Sequence, residues 1–171
     1  VTESHLRIAM PEIVRIDSVL LVHAEVPGPI DAAAESLAGL DPREYETFLK
    51  SRPCAAENEA IAQMIALSRE TRCRTHIVHL SSAEALPMLR QAKTDGVPIT
   101  AETCPHYLTF AAEEVPDGAT HFKCCPPVRE GENREKLWDA IVDGTIDMVV
   151  SDHSPCTPAL KLQESGDFMD A

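Results

Sequence analysis

Four short apolar segments, separated by stretches with helical periodicity, constrain the fold of this chain more than any other feature. The segments are residues 18–23, 75–80, 98–103 and 146–151. They are continuous apolar runs rather than alternating ones, which is typical of strands covered on both faces. Strands that alternate with helices imply crossover connections and a parallel sheet. The sequence therefore predicts an α/β fold.

The stretches between these segments carry the start and stop signals of amphipathic helices. Asp41 followed by Pro42 is a typical helix start, because Pro fits the first helical position. A capping-box sequence at residues 81–84 starts another helix, and Gly96 ends it. The predicted helices cover residues 43–50, residues 55–71, the segment from the capping box to Gly96, and residues 132–142.

Side chains that can bind a metal follow three of the predicted strands. His23 ends the first strand, His79 lies near the end of the second, and Asp152 follows the fourth. The carboxyl ends of parallel strands meet at one edge of a sheet, so these side chains would converge there. Two imidazoles and a carboxylate suit a borderline divalent cation such as Zn²⁺. From spacing alone an alternative stays open, in which the histidines are hydrogen-bonded loop residues and Asp152 caps the next turn.

Five sequence motifs carry a resemblance to a known family. In chain order they read LVHAE, THIVHLSSAEALP, TAETCPHYLTF, FKCCPPVRE and VVSDHSPC. This ordered set resembles the cyclic-amidohydrolase branch of the amidohydrolase superfamily, which includes dihydroorotases, dihydropyrimidinases (hydantoinases) and allantoinases. The resemblance extends over about residues 10–171. The run from Ser151 to Cys156 has the allantoinase form rather than the dihydroorotase form.

The resemblance implies a distorted (β/α)₈ barrel of the TIM type that holds two zinc ions. His23 and His79 would follow the fifth and sixth barrel strands and bind the second zinc. Asp152 would follow the eighth strand, bind the first zinc, and act as general base and then as general acid. Cys125 stands where allantoinases have Ser before the Pro-Pro pair, so substrate binding there is expected through the backbone.

The resemblance also implies that part of the barrel is missing from these residues. A complete barrel takes about 250 residues, and the four strands correspond to strands 5–8, the C-terminal half. The HxH pair of the first strand and the lysine, carbamylated in most members, have no counterpart here. We expect residues 1–171 to form one partial barrel domain with an irregular, truncated tail over residues 157–171. Alone, this chain is expected neither to bind two zincs nor to hydrolyse substrate.

The function expected from the resemblance is hydrolysis of a cyclic amide, allantoin to allantoate, in purine (ureide) catabolism. A hydantoinase (dihydropyrimidinase) or a dihydroorotase is the alternative within the family. A non-catalytic scaffold related to these enzymes is the alternative from another class. Three candidate ligands at strand ends speak against a scaffold, whereas the missing barrel half speaks for it.

Charge and hydropathy restrict the partners of the chain. It has 15 Lys plus Arg against 28 Asp plus Glu, a net charge of −13, which argues against nucleic acid and anionic membranes. No apolar run approaches the length of about 18 residues that a membrane span needs. The expected partners are a small cyclic amide and, as for the tetramers of the family, further copies of the protein. The six cysteines without a secretion signal favour an intracellular, cytoplasmic location, with mitochondria or peroxisomes as alternatives.

Overall fold

The computed structural model describes all 171 residues and arranges four parallel strands in the order in which they occur along the chain. Each strand pairs with its sequence neighbour, and every pair is parallel. The strands are β1 (Val19–Val22), β2 (Arg74–Ile77), β3 (Ile99–Thr103) and β4 (Met148–Val149). The predicted α/β fold with a parallel sheet is confirmed. Most of the strands are shorter than the apolar runs that predicted them, because the last residues of the first, second and fourth runs form loops at the carboxyl edge.

Seven helices connect and cover the strands. They are α1 (Glu3–Arg15), α2 (Pro27–Ala34), α3 (Tyr45–Ser51), α4 (Cys54–Thr71), α5 (Leu86–Thr94), α6 (Pro105–Thr109) and α7 (Gly131–Val142). Four of them lie where helices were predicted, although the capping-box segment first forms a short 3₁₀ helix, Ala83–Ala85, before α5. Helices α1, α2 and α6 were not predicted. In α1 a proline lies inside the helix, which local sequence rules disfavour, and α2 and α6 have only eight and five residues, too few to show a helical period.

The core lies between the sheet and the helices α4, α5 and α7. Side chains of Ile61 and Leu67 on α4, Leu89 on α5 and Leu137 on α7 are fully buried there, as is Ile77 on β2. Together 28 buried apolar residues form one continuous cluster. This layer of helices supports the sheet from one side and leaves its carboxyl edge free for function.

The two outer strands are less covered than the two inner ones. On β1, Val19 and Leu21 are 42% and 65% exposed, and on β4 Met148 and Val149 are 47% and 43% exposed. The expectation of strands covered on both faces is therefore wrong for β1 and β4. Each of these strands also has a neighbouring strand on one side only.

The C-terminal segment contains turns and one short 3₁₀ helix, Pro158–Lys161. Phe168 from this segment is fully buried and packs on the rings of Tyr45 and Phe48, with centroid distances of 5.3 and 6.1 Å. The backbone N–H of Phe168 also donates to the carbonyl of Pro42. The segment is thus anchored on the core by one aromatic side chain and by hydrogen bonds of its backbone.

None of the seven helices combines the length and the apolar character that crossing a lipid bilayer requires.

Candidate functional site

The side chains of His23 and His79 meet at the carboxyl edge of the sheet. His23 directly follows β1, and His79 lies two residues beyond β2. Because β1 and β2 are parallel neighbours in register, their following loops emerge side by side. The Nδ1 atom of His23 lies 2.9 Å from the Nε2 atom of His79, and the ring centroids are 4.6 Å apart. The convergence expected from the sequence is therefore present for this pair.

The backbone conformation of His79 turns its ring toward His23. On β2, Thr75 faces helix α4, where its hydroxyl accepts a hydrogen bond from Ser68, and Ile77 is buried as well. Continued alternation would direct residue 79 toward the same helix layer. Instead His79 has a φ of 41°, in the left-handed region that non-glycine residues rarely adopt. Asp152 has a φ of 45°, so two candidate site residues share this costly conformation, as is common at functional sites.

Glu25 determines which nitrogen of His23 faces the site. Its Oε2 atom lies 2.9 Å from Nε2 of His23 and accepts a hydrogen bond of 3.2 Å from Arg52. The Glu25 side chain is only 5% exposed. Burial alone would raise its pKa, but the hydrogen bond from His23 and the charge of Arg52 outweigh burial and lower the pKa. A charged Glu25 holds the proton of His23 on Nε2 and leaves Nδ1 as the free electron pair.

His79 is held in the neutral form that metal binding requires. Burial lowers the pKa of His79, and the neighbouring His23 ring lowers it further. A neutral imidazole has one nitrogen with a free electron pair. The Nδ1 atom of His79 is buried and has no hydrogen-bond partner. The Nε2 atom faces His23 at 2.9 Å, so it is placed to bind an ion beside the two rings in the tautomer that leaves its electron pair free.

Asp152 faces a separate cavity beside this pair. The cavity has a volume of about 460 Å³, and its lining includes His106, Lys123, Cys125, Asp152 and His153. Cys125 is exposed there, directly before Pro126. Burial lowers the pKa of His106, and the charge of Asp152 opposes that shift. The predicted residues Asp152 and Cys125 thus share one cavity, large enough for a small organic substrate.

The three candidate ligands do not form one cluster within these residues. No group of three or more His, Cys, Asp or Glu side chains lies close enough to hold a metal ion. His23 and His79 follow β1 and β2, whereas Asp152 follows β4, and β3 lies between them in the sheet. The facing nitrogens of the histidine pair fit a divalent cation by donor type, and Asp152 would serve a neighbouring position.

Sequence reasoning identified His23 and His79 but missed Glu25 and His106 as parts of this region. Glu25 could have been found from its spacing, since it lies two residues after His23 in the LVHAE motif. A carboxylate that accepts the second N–H of a metal-binding histidine is a common arrangement. His106 belongs to the TAETCPHYLTF motif, and its place on the cavity lining depends on the packing of α6, which no local signal predicts.

Comparison with known proteins gives close relatives in sequence. No family model matches the chain. It is 52% identical over 162 residues to an allantoinase of Streptomyces avermitilis, and this alignment covers 95% of this chain and 36% of that protein. It is 50% identical over 171 residues to the mitochondrial allantoinase of Aquarana catesbeiana, and this alignment covers 100% of this chain and 34% of that protein. The chain thus spans about a third of the length of the curated relatives it matches.

Comparison with solved structures gives the same superfamily. The L-hydantoinase (dihydropyrimidinase) of Arthrobacter aurescens superposes with a TM-score of 0.86 at 29% identity, covering 99% of this chain and 37% of that chain. A D-hydantoinase of Thermus sp. superposes with a TM-score of 0.88 at 26% identity, and the match covers 99% of this chain and 38% of that chain. The expected fold class, part of a barrel of the amidohydrolase type, is confirmed by this agreement.

Proposed function

The chain belongs to the cyclic-amidohydrolase family that includes the allantoinases, and from this premise we propose that the protein containing it hydrolyses allantoin to allantoate. In this reaction water adds to a ring carbonyl, the bond between that carbon and the ring nitrogen breaks, and the nitrogen takes up a proton. The observation that carries the proposal is the meeting of His23 Nδ1 and His79 Nε2 at 2.9 Å, in a chain about half identical to allantoinases.

The proposed cofactor is a pair of zinc ions at the carboxyl edge of the sheet. His23 and His79 would hold one ion, with Glu25 fixing the orientation of the His23 ring, and Asp152 would bind the other. When bound, two such cations make water a stronger nucleophile at neutral pH and polarise a carbonyl oxygen. The HxH pair and the carbamylated lysine of the family pattern would have to come from residues outside these 171.

Asp152 is the proposed catalytic acid–base residue. Its carboxylate faces the cavity that would hold the ring. There a carboxylate oxygen can accept the proton of the attacking water and then donate it to the leaving ring nitrogen. The left-handed backbone at Asp152 fixes where that carboxylate points. Cys125, in the same cavity, is the proposed substrate-binding residue through its backbone.

Two alternatives differ from this proposal in substrate or in class. A hydantoinase or dihydropyrimidinase is supported by the structural similarity, at 29% identity or lower for the two solved structures compared above, and a dihydroorotase would share the same chemistry. The higher identity to allantoinases, 44–52%, favours allantoin. A non-catalytic scaffold would have no need for the Glu25–His23–His79 arrangement, so we rank it last.

The test is an assay of the full-length protein that carries this segment, with allantoin, dihydrouracil and dihydroorotate as substrates. We expect the highest kcat/KM for allantoin, loss of turnover after chelation, and recovery with Zn²⁺. Asp152→Asn should lower kcat by about 10²–10⁴-fold, the usual contribution of a general acid–base residue. Asp139→Asn, the same change at an exposed position of α7, should leave kcat unchanged.

Each outcome of this assay discriminates among the candidates. Turnover of dihydrouracil or dihydroorotate above allantoin would replace the proposed substrate by the family alternative. A full-length protein that holds no zinc and turns over none of the three would support the scaffold. The 171-residue chain by itself should show no turnover with added Zn²⁺, because it supplies only half of the expected ligands. The homo-oligomeric state and the intracellular location stay predictions.

A further inference from the structure

Glu57 and Arg129 form an ion pair that is almost completely buried. The guanidinium of Arg129 donates through Nη2 and Nε to Oε1 of Glu57, at 2.6 and 3.2 Å. The two side chains are 2% and 3% exposed. Glu57 lies on α4 and Arg129 lies in the loop after the Pro-Pro pair, 72 positions later. The pair is therefore a long-range connection beneath the surface.

The second carboxylate oxygen of Glu57 holds the loop that follows His79. Oε2 accepts hydrogen bonds from the backbone N–H groups of Ser81 and Ser82, both at 3.0 Å. These residues come two and three positions after His79. A charged acceptor for two successive amides restricts both the position and the direction of this loop. The position of His79 is thus linked to Glu57.

Arg129 connects the same unit to the loop before α4. Its Nη1 donates to the carbonyl of Arg52 at 3.1 Å. The side chain of Arg52 in turn donates to Glu25, the residue that orients His23. The charge of Glu57 raises the pKa of Arg129 despite burial, which would lower it. Arg129 therefore keeps its full set of donors for these contacts.

The loop between Cys125 and Arg129 is held along its whole length. The carbonyls of three successive residues, Pro126, Pro127 and Val128, each accept a hydrogen bond from a side-chain hydroxyl. The donors are Tyr107 at 2.7 Å, Ser81 at 2.6 Å and Tyr45 at 2.9 Å. Ser81 takes part in both loops, because its amide bonds Glu57 and its hydroxyl bonds Pro127.

From these contacts we propose that Glu57 and Arg129 act as one positioning unit, which fixes the loop of His79 and the loop of Cys125 relative to each other. A buried ion pair adds little net stability over a well-packed apolar pair of similar volume. An apolar pair, however, could not accept the amides of Ser81 and Ser82 or donate to Arg52. The unit therefore sets the geometry of the site. Its consequence for turnover rests on the proposed function, whereas its consequence for the loops does not.

The test compares variants of the full-length protein. The double variant Glu57→Leu with Arg129→Met removes both charges and leaves no unpaired one, so it should fold. Arg129→Lys keeps the positive charge but loses the planar guanidinium that donates several hydrogen bonds at once. Arg69→Met, which removes an exposed ion pair with Asp95, is the control for loss of an arginine.

The first readout is independent of activity. In the double variant, the amides of Ser81 and Ser82 should exchange hydrogen about tenfold faster or more, while core amides keep their protection. Alkylation of Cys125 should change in rate relative to Cys156, which is also exposed but is not held by Glu57 or Arg129. Arg129→Lys should change amide exchange and alkylation less than the double variant does, and Arg69→Met should change neither.

The second readout separates positioning from stability. For the hydrolysis of allantoin, misplaced loops should lower kcat/KM by about 10²-fold at a temperature where the double variant is fully folded, with partial recovery in Arg129→Lys. If the Glu57–Arg129 pair only stabilised the fold, the double variant would keep the wild-type kcat and KM at that temperature. Wild-type exchange at Ser81 and Ser82 together with wild-type alkylation of Cys125 would overturn the inference. Changed exchange in a protein that hydrolyses no cyclic amide would instead overturn the proposed function alone.

Discussion

At the residue scale, Glu25 links the chemistry of His23 to the rest of the site. Its carboxylate bonds Nε2 of His23 and is itself bonded by Arg52. This leaves Nδ1 of His23 directed at Nε2 of His79. The orientation of His23 therefore depends on a buried carboxylate rather than on packing, because the ring itself is about half exposed.

Replacing Glu25 should weaken metal binding before it affects the fold. Glu25→Ala removes the acceptor that orients His23, and loss of such a partner lowers metal affinity about 10–100-fold. Zinc affinity of the full-length protein, measured by competition with a chromophoric chelator, checks this. Asp31→Ala on α2, an exposed carboxylate, should bind zinc as the wild type does. Equal affinities of the two variants would contradict the role given to Glu25.

Arg129 and His76 are two further buried residues whose partners lie far away in the sequence. The structure places Arg129 in a buried pair with Glu57, although nothing in the local sequence distinguishes it from a surface arginine. His76 on β2 is buried and bonds Thr100 and Glu102 on β3, both at 2.7 Å. In both cases the partner is remote in sequence, so no local pattern could identify it.

At the scale of elements, the C-terminal segment packs on α3 through one aromatic side chain. The segment was expected to be irregular, and regular structure in it is limited to a short 3₁₀ helix. Phe168 nevertheless lies fully buried between Tyr45 and Phe48 on α3. The periodicity of residues 157–171 gave no sign of this, because a single buried side chain has no period.

Truncating this side chain should destabilise the protein strongly. Phe168→Ala leaves a cavity against α3 and should lower the free energy of unfolding by about 3–5 kcal/mol. Met169→Ala, the next residue and 43% exposed, should stay within about 0.5 kcal/mol of the wild type. Urea unfolding followed by the fluorescence of Trp138 measures both. A loss below about 1 kcal/mol for Phe168→Ala would mean that the segment is not part of the core.

At the scale of the whole molecule, the sheet is open at both of its outer strands. The strands β1 and β4 each pair on one side only, and apolar side chains on both are exposed. Open strands with apolar side chains favour pairing with another chain. In relatives about three times as long, further residues are available to cover these strands. In the 171-residue chain these strands have no such cover.

We expect the 171-residue chain to self-associate through β1. Leu21→Lys puts a charge at the exposed position of this edge strand and should shift association to higher protein concentration, because edge lysines oppose strand pairing. Ile8→Lys, on α1 and 73% exposed, changes the net charge equally and should have a smaller effect. Sedimentation velocity over a range of concentrations measures the association. A wild-type chain that stays monomeric throughout would contradict the expectation.

The sequence alone determined the four strands, four of the seven helices, the parallel sheet and the place of His23 and His79 at its carboxyl edge. These follow from local periodicity and from the rule that parallel strands end at the same edge. Only the tertiary structure decided which nitrogens face each other, that Glu25 and the Glu57–Arg129 pair support them, and that His79 adopts a left-handed backbone. The physical reason is that these features depend on contacts between distant parts of the chain, where burial and hydrogen bonding outweigh local preference.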